Sequence, residues 1–142
     1  MHGKGSCLCG QSSYTFDAEP TLYGLCHCIH CRKTTSSLHS TALFLPASSM
    51  KYDPSAPVKQ VTVNHPEGGF PITTTFCGNC GSAMSKVADT DNFKGSEIVL
   101  LGCLDEPKGW MEENKPQAEM WTKHRADWRG NVEGAAQNVG FP

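Results

Sequence analysis

Phe76-Cys77-Gly78-Asn79-Cys80-Gly81-Ser82 is a stretch of chain that few conformations can satisfy. Gly78, Asn79 and Gly81 all tolerate the positive φ of a tight turn, and such a turn brings the two thiols to one side. This is the knuckle of a zinc ribbon, in which both sulfurs address one metal ion. A thioredoxin-like redox pair shares the spacing but needs a βαβ setting, and no helical pattern follows Cys80.

The other cysteines follow the same logic. Cys7-Leu8-Cys9 is a second close pair, too close for a comfortable disulfide yet well spaced for two thiolates at ~2.3 Å around one metal. Joined to Cys77 and Cys80, it would close a four-thiolate tetrahedron and staple distant parts of the chain. Cys26-His27-Cys28-Ile29-His30-Cys31 then leaves three thiols for a site of their own. Three protein ligands with an open fourth position are the pattern of a catalytic zinc; a histidine in the fourth position would make the site structural instead. In an extended C-x-C, His27 points to the opposite face, so His30 is the less easily excluded ligand. Spacing alone also permits Cys77 and Cys80 to join the middle cluster, and both pairings stay open. Cys103 stands alone and reads as a small buried hydrophobe.

The rest of the composition narrows the class. The chain has 142 residues, 38% of them apolar and only 18% charged, with 14 Gly, 9 Pro and 8 Cys. That suits one domain, 1–142, of short strands and turns rather than long solvated helices. Strand-like stretches lie at 12–16, 40–45, 60–64, 72–76, 83–87 and 97–101, punctuated by Pro, Asp and Gly; 31–38 has room for one helical turn. Residues 129–142, rich in Gly and Asn, read as a loose, flexible tail. A net charge of −2 gives no footprint for nucleic acid. No apolar run is long enough for a membrane span, and the first ten residues lack the apolar core of a secretory signal. A cytoplasmic location, with thiols kept free, is the expectation.

Gly5–Gly10 (GSCLCG), Cys26–Lys33 (CHCIHCRK), Phe76–Ser82 and Leu101–Pro107 (LGCLDEP), in this order, resemble the glutathione-dependent formaldehyde-activating enzyme family, which also includes centromere protein V. The resemblance spans about residues 5–128. It implies a mainly β fold, the zinc-binding β-tent (Mss-four-like) of short antiparallel strands. It implies two zinc ions: a structural one on Cys7, Cys9, Cys77 and Cys80, and a catalytic one on Cys26, Cys28 and Cys31. It implies a carbon–sulfur lyase, or synthase, joining glutathione to formaldehyde as S-hydroxymethylglutathione. A larger thiol adduct, or a non-enzymatic zinc-stapled binding module, is the alternative. The partners expected are a small-molecule thiol and its electrophile, with no nucleic acid and no membrane. Arg32 and Lys33 are candidates to pair with a glutathione carboxylate. His30 and His39 are candidate proton shuttles, His30 the nearer to the cysteines in sequence. After Lys33 the chain reads Thr34-Thr35-Ser36-Ser37-Leu38-His39, where the family usually has small residues leading to an aromatic.

Overall fold

The computed structural model describes residues 1–142, the side chain of Pro107 excepted. Its elements in chain order are β1 His2–Ser6, β2 Ser13–Asp17, β3 Leu22–Cys26, α1 Ile29–Thr35, β4 Ser40–Pro46, β5 Met50–Tyr52 and β6 Val58–Asn64. There follow β7 Pro71–Cys77, β8 Ala83–Ala88, β9 Ser96–Leu100, α2 Pro107–Glu113, β10 Ala118–Met120 and β11 Ala136–Gln137. The fold is mainly β, built of short and mostly antiparallel strands. Two ladders depart from that pattern: β10 runs parallel both to β3 and to β11. No helix among the described residues is long and apolar enough to cross a membrane.

The strands form a large sheet in the order β11-β10-β3-β4-β9-β8-β7-β6 and a small one in the order β1-β2-β5. The small sheet covers one face of the large one. β4 and β9 are therefore buried on both sides and read as nearly continuous apolar runs, Ala42-Leu43-Phe44-Leu45 and Ile98-Val99-Leu100. Their side chains alternate between two cores. Ala42, Phe44, Ile98 and Leu100 face one core together with Cys26, Cys28 and Cys31. Leu43, Leu45 and Val99 face the other, with Cys7 and Cys77 and with Tyr14 and Phe16 of the small sheet.

The last fourteen residues correct the expectation of a loose tail. β11 adds an edge strand beside β10, pairing Ala118 with Ala136 and Glu119 with Gln137. The Trp121 N–H donates to Gly140 O, and Phe141 packs against the first core through Phe93, Phe70 and Trp121. A single apolar residue near the end fastens the segment, which the Gly and Asn around it conceal. Replacing Phe141 by Ala should lower unfolding stability by about 1–3 kcal/mol, because the ring is only partly buried. Chemical denaturation read by circular dichroism measures that loss.

Candidate metal centres

The knuckle is built as its sequence suggests, with two changes of role. Gly81 takes φ +80° and leads the chain into β8. Neither Gly78 nor Asn79 has a positive φ. Gly78 is needed for close approach: its N–H donates to Pro57 O at 2.7 Å, and a Cβ there would sit 2.7 Å from that oxygen. Asn79 turns its amide outward to donate to Cys9 Sγ at 3.3 Å. Cys7 and Cys9, after β1, meet the knuckle from the small-sheet side. The sulfurs of Cys7 and Cys9 are 3.5 Å apart, those of Cys9 and Cys77 3.9 Å, and all four lie within 4.8 Å of one another. Thiolates held ~2.3 Å from one metal in a tetrahedron have edges of about 3.8 Å, so the four fit a single ion.

The surroundings favour the thiolate form at the two knuckle sulfurs, Cys77 and Cys80. The Ser82 hydroxyl, 3.2 Å from Cys80 Sγ, is the main cause of a Cys80 pKa brought down to about 5. Cys77 is also held below the ordinary thiol value, by the neighbouring Ser12 side chain first and the Cys80 N–H next, and the Ser12 N–H donates to Cys7 Sγ at 3.2 Å. Ser82 also accepts from the Leu8 N–H at 3.0 Å, which ties the two halves of the site together.

Cys26 ends β3, Cys28 caps α1, and Cys31 sits in its first turn. Cys28 takes the place a Ser or Asp often fills: its Sγ accepts from the Cys31 N–H at 3.3 Å. All three cysteines are buried and their sulfurs lie within 4.8 Å of one another, enough to hold a second metal ion. His27 points away from them, as an extended C-x-C requires. It is fully buried and its Nε2 donates to Glu119 at 3.0 Å. Glu119 also accepts from Arg125 Nη1 at 2.7 Å and from the Val132 N–H at 2.6 Å. Burial opposes its charge, but these donors outweigh it and hold the carboxyl below its ordinary pKa.

One charged residue reaches the three thiols, and cysteine spacing gives no hint of it. Lys86 Nζ lies 2.8 Å from Cys31 Sγ, with only 6% of the residue exposed. The reason is a bulge in β8. Ser85 pairs with Thr75 and Ala83 with Phe76, so Met84 is left unpaired and the alternation slips by one. Lys86 thereby turns to the face that carries Ile98 and the cysteines. Burial alone would push its pKa down; the thiols, Cys31 foremost, outweigh burial and hold it above the ordinary lysine value. Cys31 in turn is held well below the usual thiol range by hydrogen bonds from Cys26 and Cys28 and then by Lys86.

Cys26, Cys28, Cys31 and Lys86 open on a narrow cavity between apolar walls that include Phe44, Ile98, Met120 and Phe141. Its free volume is about 20 Å³, room for little more than one water-sized group. His65 is on the same wall; in the sequence it is one of the histidines outside the cysteine motif, with no spacing that ties it to the three thiols. The remaining candidates lie elsewhere. His30 is buried on α1 beside Cys31, its Nδ1 3.4 Å from Thr34 Oγ1, and does not line the cavity. His39 is half-buried, with its ring 5.5 Å from that of His27. Arg32 and Lys33 are exposed and border a surface hollow with Ser36 and Leu38 instead. Cys103 is half-buried and its thiol donates to Ala83 O at 3.3 Å.

Residues 2–124 match the glutathione-dependent formaldehyde-activating enzyme family. The chain belongs to that family. No curated protein matches it at a significant level. The family's description is that of an enzyme, and the two cysteine clusters fit a zinc-binding domain of this kind.

The Glu119 network supports the C-x-C segment from behind, so its loss should be felt in stability. Glu119→Ala leaves His27 and Arg125 without their partner and should cost about 3 kcal/mol or more in urea unfolding. With a folded-state pKa below the unfolded value, Glu119 stabilises above the ordinary carboxylate range. That contribution fades as pH falls through the lowered value, and Glu119→Gln should flatten this acid limb of the stability curve.

Proposed function

We propose that this chain joins glutathione to formaldehyde as S-hydroxymethylglutathione, and in reverse cleaves that carbon–sulfur bond. The observation that carries the reading is the cavity: three buried sulfurs and one buried ammonium on a small, apolar-walled space. In the forward direction the glutathione sulfur bonds to the carbonyl carbon, the C=O electron pair moves to oxygen, and the thiol proton ends on that oxygen. The family match supports this chemistry.

In this reading Cys7, Cys9, Cys77 and Cys80 hold a structural zinc with no free position, and Cys26, Cys28 and Cys31 hold a catalytic one with a position to spare. Zinc at the second site would supply a Lewis acid that favours the thiolate form of a substrate thiol at neutral pH. Three thiolates and a divalent cation sum to one negative charge, which Lys86 offsets. An incoming sulfur anion then meets a neutral site. The apolar walls keep water from competing with the thiol for the carbonyl carbon. Arg32 and Lys33 lie outside the cavity, where a glutathione carboxylate would have to be met if they take part.

The test is exchange spectroscopy of glutathione with formaldehyde, with and without the zinc-replete protein. Faster equilibration than the spontaneous reaction is expected; no acceleration ends the reading. Cys28→Ala should reduce zinc from two ions per chain to one and remove the acceleration while the circular dichroism stays native. Cys77→Ala should instead lose the folded state, as removal of a structural zinc does.

A further inference from the structure

The ring of His65 is 1% exposed and fixed from three sides. It stacks on Phe70 with centroids 4.9 Å apart, and Trp121 stands 4.8 Å away on a tilt. Its Nδ1 accepts from the N–H groups of Gly68 at 2.9 Å and Glu67 at 3.2 Å. A nitrogen that accepts two backbone protons carries none of its own, so in the neutral ring the proton is on Nε2. Nε2 is buried, has no hydrogen-bond partner, and belongs to a residue that lines the cavity over Cys26, Cys28 and Cys31. A buried donor left unpaired costs about 1–3 kcal/mol, a cost that a ligand acceptor would remove.

We infer that His65 is a catalytic residue: its Nε2–H donates a hydrogen bond to the substrate oxygen of the carbon–sulfur adduct. The inference rests on the reading above for the identity of that substrate. As the sulfur–carbon bond forms, the oxygen receives the carbonyl electron pair and becomes a stronger acceptor, so a donor fixed beforehand favours the transition state over the free aldehyde. His65 keeps its proton throughout; the proton that completes the carbinol is the one the thiol gave up. Burial, aided by the Lys86 ammonium, lowers the His65 pKa below the ordinary imidazole value, in the direction of the neutral ring. Protonation would place a hydrogen on Nδ1 against the two loop N–H groups, so the loop also opposes the cation. His30 and His39, the histidines that sequence position favoured, do not reach this cavity.

Two measurements test the inference, neither requiring turnover. Long-range ¹H–¹⁵N spectra of the zinc-loaded wild type should show His65 as the Nε2–H tautomer; the Nδ1–H tautomer overturns the assignment. Thioacetate carries its oxygen one carbon from sulfur, as the adduct does, and ethanethiol has similar size without the oxygen. The ratio of their affinities for the zinc-loaded protein should fall about tenfold in His65→Phe, which keeps the ring shape, and return in part in His65→Gln. An unchanged ratio in His65→Phe sinks the inference alone. If the wild type binds neither thiol, the open metal site and the inference fall together. A ratio that depends on His65 without any acceleration of the glutathione–formaldehyde reaction supports the inference and overturns formaldehyde as substrate.

Discussion

Side chains of a β-strand must alternate between its faces, and in this fold that rule keeps two sulfur sites apart. β4 and β9 lie at the middle of the large sheet and are buried on both sides. One set of their side chains closes over Cys26, Cys28 and Cys31, and the other packs against the small sheet that carries Cys7 and Cys9 to the knuckle. Seven thiols in so small a protein would otherwise have many ways to share metal ions. The sheet reduces them to one pairing, since Cys77 and Cys80 cannot join the middle cluster without crossing it. The same partition separates their environments: Cys9 is exposed at the rim, while the three-thiol group is enclosed.

The one break in that alternation is where the chemistry gathers. Were Met84 paired in an unbroken ladder rather than bulged out, Lys86, two residues on, would share its face toward the small sheet, and the three thiols would lack their ammonium neighbour. An ammonium buried alone is costly, and so is a cluster of thiolates with a net negative charge. Brought together at 2.8 Å, each relieves the other. This arrangement is intelligible for a site that holds a divalent cation and takes a further anion, since the total charge then stays near zero.

How much of this was legible in the sequence divides along physical lines. Cysteine spacing is a local property, and both clusters could be read from it. So could the strands rich in β-branched and apolar residues, β4, β7, β8 and β9, each found within a residue or two of its expected place. β1 (His-Gly-Lys-Gly-Ser) has no apolar residue and is a strand only because β2 pairs with it; β10 and β11 are short segments defined by their neighbours. Lys86 was invisible, and His65 was only one histidine among several, for a related reason. A lysine in a strand reads as solvent-facing until a bulge in register is known. A histidine before Pro-Glu-Gly-Gly reads as turn until the backbone N–H groups of that turn are seen to hold its ring.

The C-terminal segment shows where family resemblance and this chain part. The family match ends at residue 124, yet Phe141 forms part of the cavity wall and touches Phe93, Trp121 and His65. Glu119 binds the same segment from the other side through Val132 and Arg125, and His27 links that carboxylate to the C-x-C motif. The segment is thus attached both to the metal motif and to the mouth of its cavity. Motifs that hold metal set which element of chemistry is present. The space beside the three thiols is bounded in part by Phe141, Lys86 and His65, none of which lies in a cysteine motif. The cavity is thus shaped as much by side chains outside the cysteine motifs as by the cysteines themselves, and a shared set of cysteines need not mean a shared electrophile.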